Sequence, residues 1–464
     1  MWFDTGLVIL YLAVLIGIGV RGRVKDVRGF TALGGGYGTF TIFASLSASY
    51  IGGGYSAGNA AEAFSEGIKM TLALFGFSIS TILIGRFLVP GVRRFRGSAT
   101  VGGIIGASYG RAARALTGVF SFICCAGVVG AQMGAIGMVF NVLLGVPHRL
   151  GILAGCGIVL LYSTTGGLKS VIMADMVQFV MLAVGMPVLL LAALAKAGGV
   201  GEVIRSLPSG HLNPFNGTTF FGFVSLFLTM MFGEALAPPY TQRLLIGKSP
   251  ESTAKATVLS GIFSIPFFII TGLIGLSAYA LKITSNSAAA MPSLVKAILP
   301  VGARGLVMAS MVSVILSAAD GFLNGAAVGL VCDTIKTLRP NLSEKSELLW
   351  LRAVNLITGA AAVAAALALP GIFNILILAY SFWAPLILVP LAAALLGVKS
   401  SGRAFRYALA AGLLGTTVWN YLLGKPLGID GAVPGLLCNF SVFAYYTSRY
   451  QRHRVNRILV LKQK

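Results

Sequence analysis

Three carboxylates stand inside long apolar runs of this sequence, and their neighbours set the chemistry open to them. Asp175 follows Tyr162-Ser-Thr-Thr-Gly166-Gly167-Leu-Lys169, where two glycines turn one apolar run into the next, and Gln178 lies one helical turn further on. A bare carboxylate at that depth is costly, which makes it a functional candidate by default. Asp320 belongs to a second pattern. Ser313, Ser317, Asp320 and Asn324 are spaced four, three and four residues apart on one helical face of an apolar segment. Hard oxygen donors in that arrangement suit a small alkali cation. Glu234 sits beside Pro238-Pro239, where either a structural partner or a solute would answer its charge.

The other acidic residues read differently. Asp4, Asp26, Glu202, Glu251, Glu344, Glu347 and Asp430 are expected in loops, Asp333 at the cytoplasmic interface, and Glu62 and Glu66 at an outer vestibule. No phosphate-binding loop, Ser/His/Asp set or zinc spacing occurs, so no enzyme and no cofactor is expected. The five cysteines fall in or beside apolar runs and read as packing residues, and the three histidines are isolated.

The elements that position these groups are membrane helices. Of 464 residues, 56% are hydrophobic and 10% charged, with mean hydropathy +0.88; a soluble domain carries about 25% charged residues. The pattern predicts an all-α polytopic chain of about thirteen spans near 3–20, 36–60, 68–92, 112–145, 150–168, 171–196, 217–243, 256–281, 301–332, 350–369, 371–397, 404–424 and 430–447. The runs 112–145 and 301–332 exceed a perpendicular span, so tilt or protruding ends are expected. With the N-terminus outside, 27 of the 35 Lys and Arg gather on the cytoplasmic face, among them Arg243, Lys248 and Lys255. The positive-inside rule therefore orients the chain N-out and C-in, in the cell membrane. The net charge of +22 faces anionic lipid at the bilayer surface, and no basic soluble domain exists to bind nucleic acid.

Two spans break. Tyr50-Ile51-Gly52-Gly53-Gly54-Tyr55-Ser56 interrupts the second, because consecutive glycines are poor helix formers and freed carbonyls are tolerated only along a cavity or around an ion. Close packing through small residues is the alternative reading. Phe232-Gly233-Glu234-Ala-Leu-Ala-Pro238-Pro239 interrupts the seventh. The two broken helices run in opposite directions. Broken helices at matching places of inverted repeats point to a transporter site. The expected organisation is one transmembrane domain over 1–464: an extra helix (1–35), repeat one (36–196), repeat two (217–397), two extra helices (404–447) and a basic cytoplasmic tail (448–464).

With these features in place, the chain resembles the sodium:solute symporter family, which has the leucine-transporter-like five-plus-five fold. Gly166-Gly167-Leu with Asp175 and Gln178, the pair Gln242-Arg243, and Ser317-Ala-Ala-Asp320 through Asp333 match it in order and spacing. The resemblance implies a sodium site at Ala48, Ile51, Val314, Ser317 and Ala318. Family members usually carry two adjacent hydroxyl residues there, and this chain has Ala at 318. Asp175 and Asp320 are implied as an auxiliary ion site. Locally, Tyr50 to Tyr55 and Ala61-Glu62-Ala are most similar to the choline-transporter branch, although Val128 and Ala237 stand where that branch has tryptophans.

The resulting expectation is a sodium-coupled symporter that imports a small polar organic solute. Proton coupling and a non-coupled channel or solute sensor of the same fold are the alternatives. The expected solute-binding residues are Tyr50, Gly53, Tyr55, Ser56, Gln132, Phe232, Glu234 and Trp383.

Overall fold

The computed structural model describes residues 2–31, 35–95, 97–369 and 371–462, with side chains to 453. The last residues of the expected basic tail, and the side chains from 454 onward, lie outside the described residues. The described chain is helical, and its only extended pairing is the single bridge between Tyr37 and Gly247. Eight described helices are long and apolar enough to cross a bilayer.

Both expected breaks are present. The first broken helix runs Thr39–Tyr50, then resumes through Gly54–Gly58 into Asn59–Glu66. The second runs Phe220–Phe232 and resumes at Pro238–Leu245. Prolines 238 and 239 open the second half, where a first helical turn has no need of their missing N–H groups. The Tyr37–Gly247 bridge ties the chain entering the first broken helix to the chain leaving the second.

Around them stand three long helices. Arg111–Leu144 has 34 residues, about 51 Å of helix, well beyond the roughly 30 Å of hydrocarbon. His148–Ala197 is continuous in hydrogen bonding but kinked at Gly167, whose φ of 57° and ψ of −161° are not helical. A side chain at 167 would also strike the backbone of Phe30, 2.7 Å from its Cα. The Gly166-Gly167 turn is therefore a hinge packed onto the segment before the first broken helix. Ala303–Val328 lies at the centre with nearly every residue buried, as a polar stripe on a membrane helix requires.

Four charges sit elsewhere than the sequence led us to expect. Arg243 is fully buried instead of lying in a cytoplasmic loop. The backbone returns toward the core after Pro238-Pro239, and a carboxylate there compensates its charge. Asp4 is buried, accepting from Gly302 N, Gly305 N and the Arg304 guanidinium, so it caps the central helix. Glu347 is buried against Lys336 Nζ at 2.7 Å. Asp333 is buried too, held by Thr100 Oγ1 at 2.7 Å and Arg114 Nε at 3.0 Å. Arg243, Asp4 and Asp333 have partners 68 or more residues away and Glu347 has one 11 residues away, which is why charges the sequence reads as solvated can be buried.

Candidate functional site

At the first break the helical hydrogen-bond ladder fails in a specific way. Gly52 N–H turns onto Tyr50 O, and Gly53 N–H donates to Gln132 Oε1 at 2.6 Å. The carbonyls of Ala48 and Ser49 thus lose the donors that a continuing helix would supply, and they remain as acceptors. Three helices also press on the glycines. A Cβ would come 2.7 Å from Ala318 Cβ at Gly52, 2.6 Å from Ala135 Cβ at Gly53, and 2.4 Å from Leu376 Cδ1 at Gly54. Both readings of this segment hold: the glycines break the helix, and they let its neighbours approach.

The second break is held open by other contacts. Leu236 has φ 54°, a conformation that costs a non-glycine residue about 1–3 kcal/mol and clusters at functional sites. Trp383 Nε1 donates to Ala235 O at 2.9 Å, and Thr241 Oγ1 to Leu236 O at 2.7 Å. These bonds satisfy two of the carbonyls that the break exposes. The ring of Tyr380 covers Gly233, where a Cβ would sit 2.7 Å from Cδ2.

Between the two breaks is a small cavity of about 10 Å³, room for about one water, lined by residues that include Tyr50, Tyr55, Gln132, Glu234, Ala318 and Tyr380. The Tyr55 and Tyr380 hydroxyls meet at 3.0 Å. The Tyr50 ring packs edge-on against Tyr240, with centroids 4.2 Å apart, and against Phe77 at 5.0 Å. The wall is aromatic, and Glu234 Oε2 is buried there without a hydrogen-bond partner.

Beside the cavity lies an ion-pair cluster. Asp175 Oδ1 accepts from Ser317 Oγ at 2.7 Å, and Oδ2 accepts from Ser45 Oγ and from Arg243 Nη2 at 2.8 Å. Arg243 also donates through Nε to Ser45 Oγ at 2.7 Å and through Nη1 to Pro239 O at 2.9 Å. The expected bare carboxylate is therefore paired. One helical turn along the central helix, Asp320 Oδ2 accepts from Tyr162 Oη at 2.8 Å, while its Oδ1 has no partner. The amides of Gln178 and Asn324 are likewise buried and unpartnered. Buried polar atoms in that condition call for water or a cation.

Not all expected solute residues line the cavity. Tyr50, Tyr55, Gln132 and Glu234 do; Gly53, Ser56, Phe232 and Trp383 are not among its lining residues. Ser56 Oγ donates to Gly52 O at 2.8 Å, so it steadies the break, as Trp383 does at the other. Sequence reasoning missed Ser45 and Tyr380, and it gave Arg243 a place in the family pattern but no role in the site. The signal for Tyr380 was present, a lone phenol in an apolar run three residues before Trp383. For Arg243 the signal was its place directly after a proline-broken span.

The family model described as the sodium:solute symporter family matches residues 30–415. The mouse solute carrier family 5 member 4A is 25% identical over 403 residues, covering 75% of this chain and 60% of the relative. The human high affinity choline transporter 1 is 25% identical over 474 residues, covering 95% and 79%. The chain thus spans about three fifths of the rodent family 5 relatives it matches. A sodium-coupled sialic acid symporter solved in a substrate-bound outward-open state superposes with a TM-score of 0.81 at 15% identity, over 96% of this chain and 98% of that one. The transporter Mhp1, solved in a closed conformation, gives 0.62 at 16% identity, over 90% and 94%. At those identities the structures establish the fold, which is leucine-transporter-like.

Proposed function

The chain belongs to the sodium:solute symporter family, and on that premise we propose that it is a secondary transporter coupling sodium entry to import of a small polar organic solute. One observation carries the reading. Two helices break at the same cavity, and one of the breaks frees the carbonyls that a coupling ion requires. Sodium is held by the carbonyls of Ala48, Ile51 and Val314 and by the Ser317 hydroxyl, whose oxygen keeps a lone pair free while its proton points to Asp175; Ala318 stands at the site's remaining position, where family members usually carry a second hydroxyl, and supplies none. Asp175 and Asp320 serve as an auxiliary ion site, and the unpartnered Asp320 Oδ1 supports that role.

Residues 36–196 and 217–397 are the two inverted repeats in this reading. Residues 1–35 and 404–447 are the extra helices, and 448–464 is the cytoplasmic tail of a cell-membrane protein with its N-terminus outside. Alternating access moves one set of helices against the other around the two breaks.

Proton coupling keeps one observation in its favour. The fixed charge of Arg243 already sits on Asp175 beside Ser317, and Ala318 offers no hydroxyl. Reconstitution into liposomes separates the two. Concentrative solute uptake driven by an inward sodium gradient supports sodium symport. Uptake that ignores sodium and follows a proton gradient rejects it.

A further inference from the structure

Glu234 is the one carboxylate that lines the cavity, and the ion machinery does not use it. Its carboxyl is 3% exposed, and the hydroxyls of Tyr55, Tyr240 and Tyr380 face it. Oε2 nevertheless has no hydrogen-bond partner, and among the described residues no Lys, Arg or His forms an ion pair with it. A buried carboxylate left that way is strongly unfavourable unless a cation or a proton answers it, and a protonated amine brings both a charge and a proton to share. Nothing else in the cavity competes for the role. Its lining holds this single carboxylate and no basic side chain.

The same lining excludes other solutes. A carboxylate on the solute would lie close to Glu234, and no basic side chain lines the cavity to receive it. The Gly53 N–H, which could otherwise have met an anion at the start of a half-helix, is already taken by Gln132 Oε1. Zwitterions and organic acids are therefore disfavoured. The aromatic wall of Tyr50, Tyr55 and Tyr380 suits positive charge. An acceptor oxygen without a partner asks for more than charge: it asks for a donor hydrogen.

We propose that the transported solute is a compact protonated amine, whose N–H groups donate to Glu234 while its charge rests against the tyrosine faces. The walls stand close, with only about 10 Å³ between them, so they must part to admit a solute and favour a small one. A quaternary ammonium satisfies the charge but leaves Oε2 unpartnered, and a charge-assisted hydrogen bond is large enough to separate the two by about tenfold or more. This rests on the transport reading above and narrows its solute class.

The test uses the full chain, purified into lipid nanodiscs, with thermal unfolding and calorimetric titration in sodium chloride. The probes are methylamine, ethanolamine and butylamine, their quaternary counterparts tetramethylammonium and choline, neutral ethylene glycol, and zwitterionic glycine. The expected result is that at least one amine binds, and that choline and tetramethylammonium bind at least about tenfold more weakly. Ethylene glycol and glycine should not bind, and Glu234→Gln should weaken the amine at least about tenfold.

Equal or tighter binding of a quaternary probe, preference for glycine or ethylene glycol, failure of every amine, or unchanged amine affinity in Glu234→Gln would overturn the proposal. If the Gln variant does not fold, the ratio of amine to quaternary affinity in the unaltered protein decides alone. Sodium-driven uptake of a neutral or zwitterionic solute would remove the amine class and leave the transport reading standing. Absence of any sodium-driven uptake would remove the transport reading itself.

Discussion

Arg243 Nη2 lies 2.8 Å from Asp175 Oδ2, and both side chains are completely buried. The pair joins the second half of the second broken helix, Pro238–Leu245, to the kinked helix after Gly167. Ser45 and Ser317 add the first broken helix and the central helix through the same carboxylate. Four elements that a transport cycle would move against one another are thus knotted at one point beside the proposed sodium ligands. Two buried charges gain little from mutual attraction after desolvation, but removing one partner leaves the other uncompensated.

That asymmetry gives the first prediction. Asp175→Ala is expected to cost about 3–5 kcal/mol, seen as a clear fall in the melting temperature of the purified protein. Arg243→Leu should do the same, and the double variant should lose much less than the sum of the two. Asp175→Asn keeps an acceptor oxygen for one of Ser45 and Ser317, turns an N–H₂ donor toward the other, and leaves the guanidinium without a counter-charge. It should insert in the membrane, melt lower, and shift the sodium dependence of uptake more than the solute affinity. Additive single effects, or a normal sodium dependence in the Asn variant, would reduce Asp175 to a structural residue.

Ala318 supplies the second. Its side chain reaches the cavity and packs on Gly52, so Ala318→Ser places a hydroxyl next to the carbonyls of the first break. Apparent sodium affinity should rise by about three- to tenfold, within the worth of one added hydrogen-bonding or ligating oxygen. Unchanged or weaker sodium dependence of uptake would place the ion elsewhere.

The hinge can be tested against a control in its own helix. Gly167→Ala forces a side chain into φ 57° and onto the backbone of Phe30. A substantial loss of thermal stability is expected. Gly157→Ala meets open space and should be neutral or stabilising by up to about 1 kcal/mol. Equal melting temperatures for both would mean that the kink is not needed.

Topology is open to labelling in intact cells. Leu212 and Ser343 are both exposed in the fold, so only the side of the membrane should separate them. In a Cys438→Ser background, which removes the exposed native thiol, Leu212→Cys should react with an impermeant reagent and Ser343→Cys should be protected. The reverse pattern would invert the orientation.

Much of the site was legible because its residues break local rules. Three glycines at 52–54 and two prolines at 238 and 239 mark both discontinuities by chemistry alone. Asp175, Glu234 and Asp320 stand out as carboxylates where carboxylates are costly. What the sequence does not carry is pairing at a distance. Arg243 follows its span closely and precedes Lys248 and Lys255, so it reads as one more orienting loop charge, and its partner is 68 residues away. Asp4 resembles a solvated terminal acid until Arg304, 300 residues on, is brought beside it. Trp383 and Ser56 belong to the breaks, yet their hydrogen bonds to Ala235 O and Gly52 O hold the backbone shape instead of lining the cavity. Residue type shows that such a side chain has a task near the break. Only the fold shows which atom it serves.

The central claim is that a sodium ion binds where the first broken helix meets Ser317. Equilibrium binding of radioactive sodium to the purified protein in nanodiscs tests it without needing to know the solute. Saturable binding to the unaltered protein is predicted, with a loss of at least about tenfold in affinity in Ser317→Ala and a gain in Ala318→Ser. Absence of saturable binding, or equal affinity in all three proteins, would contradict it.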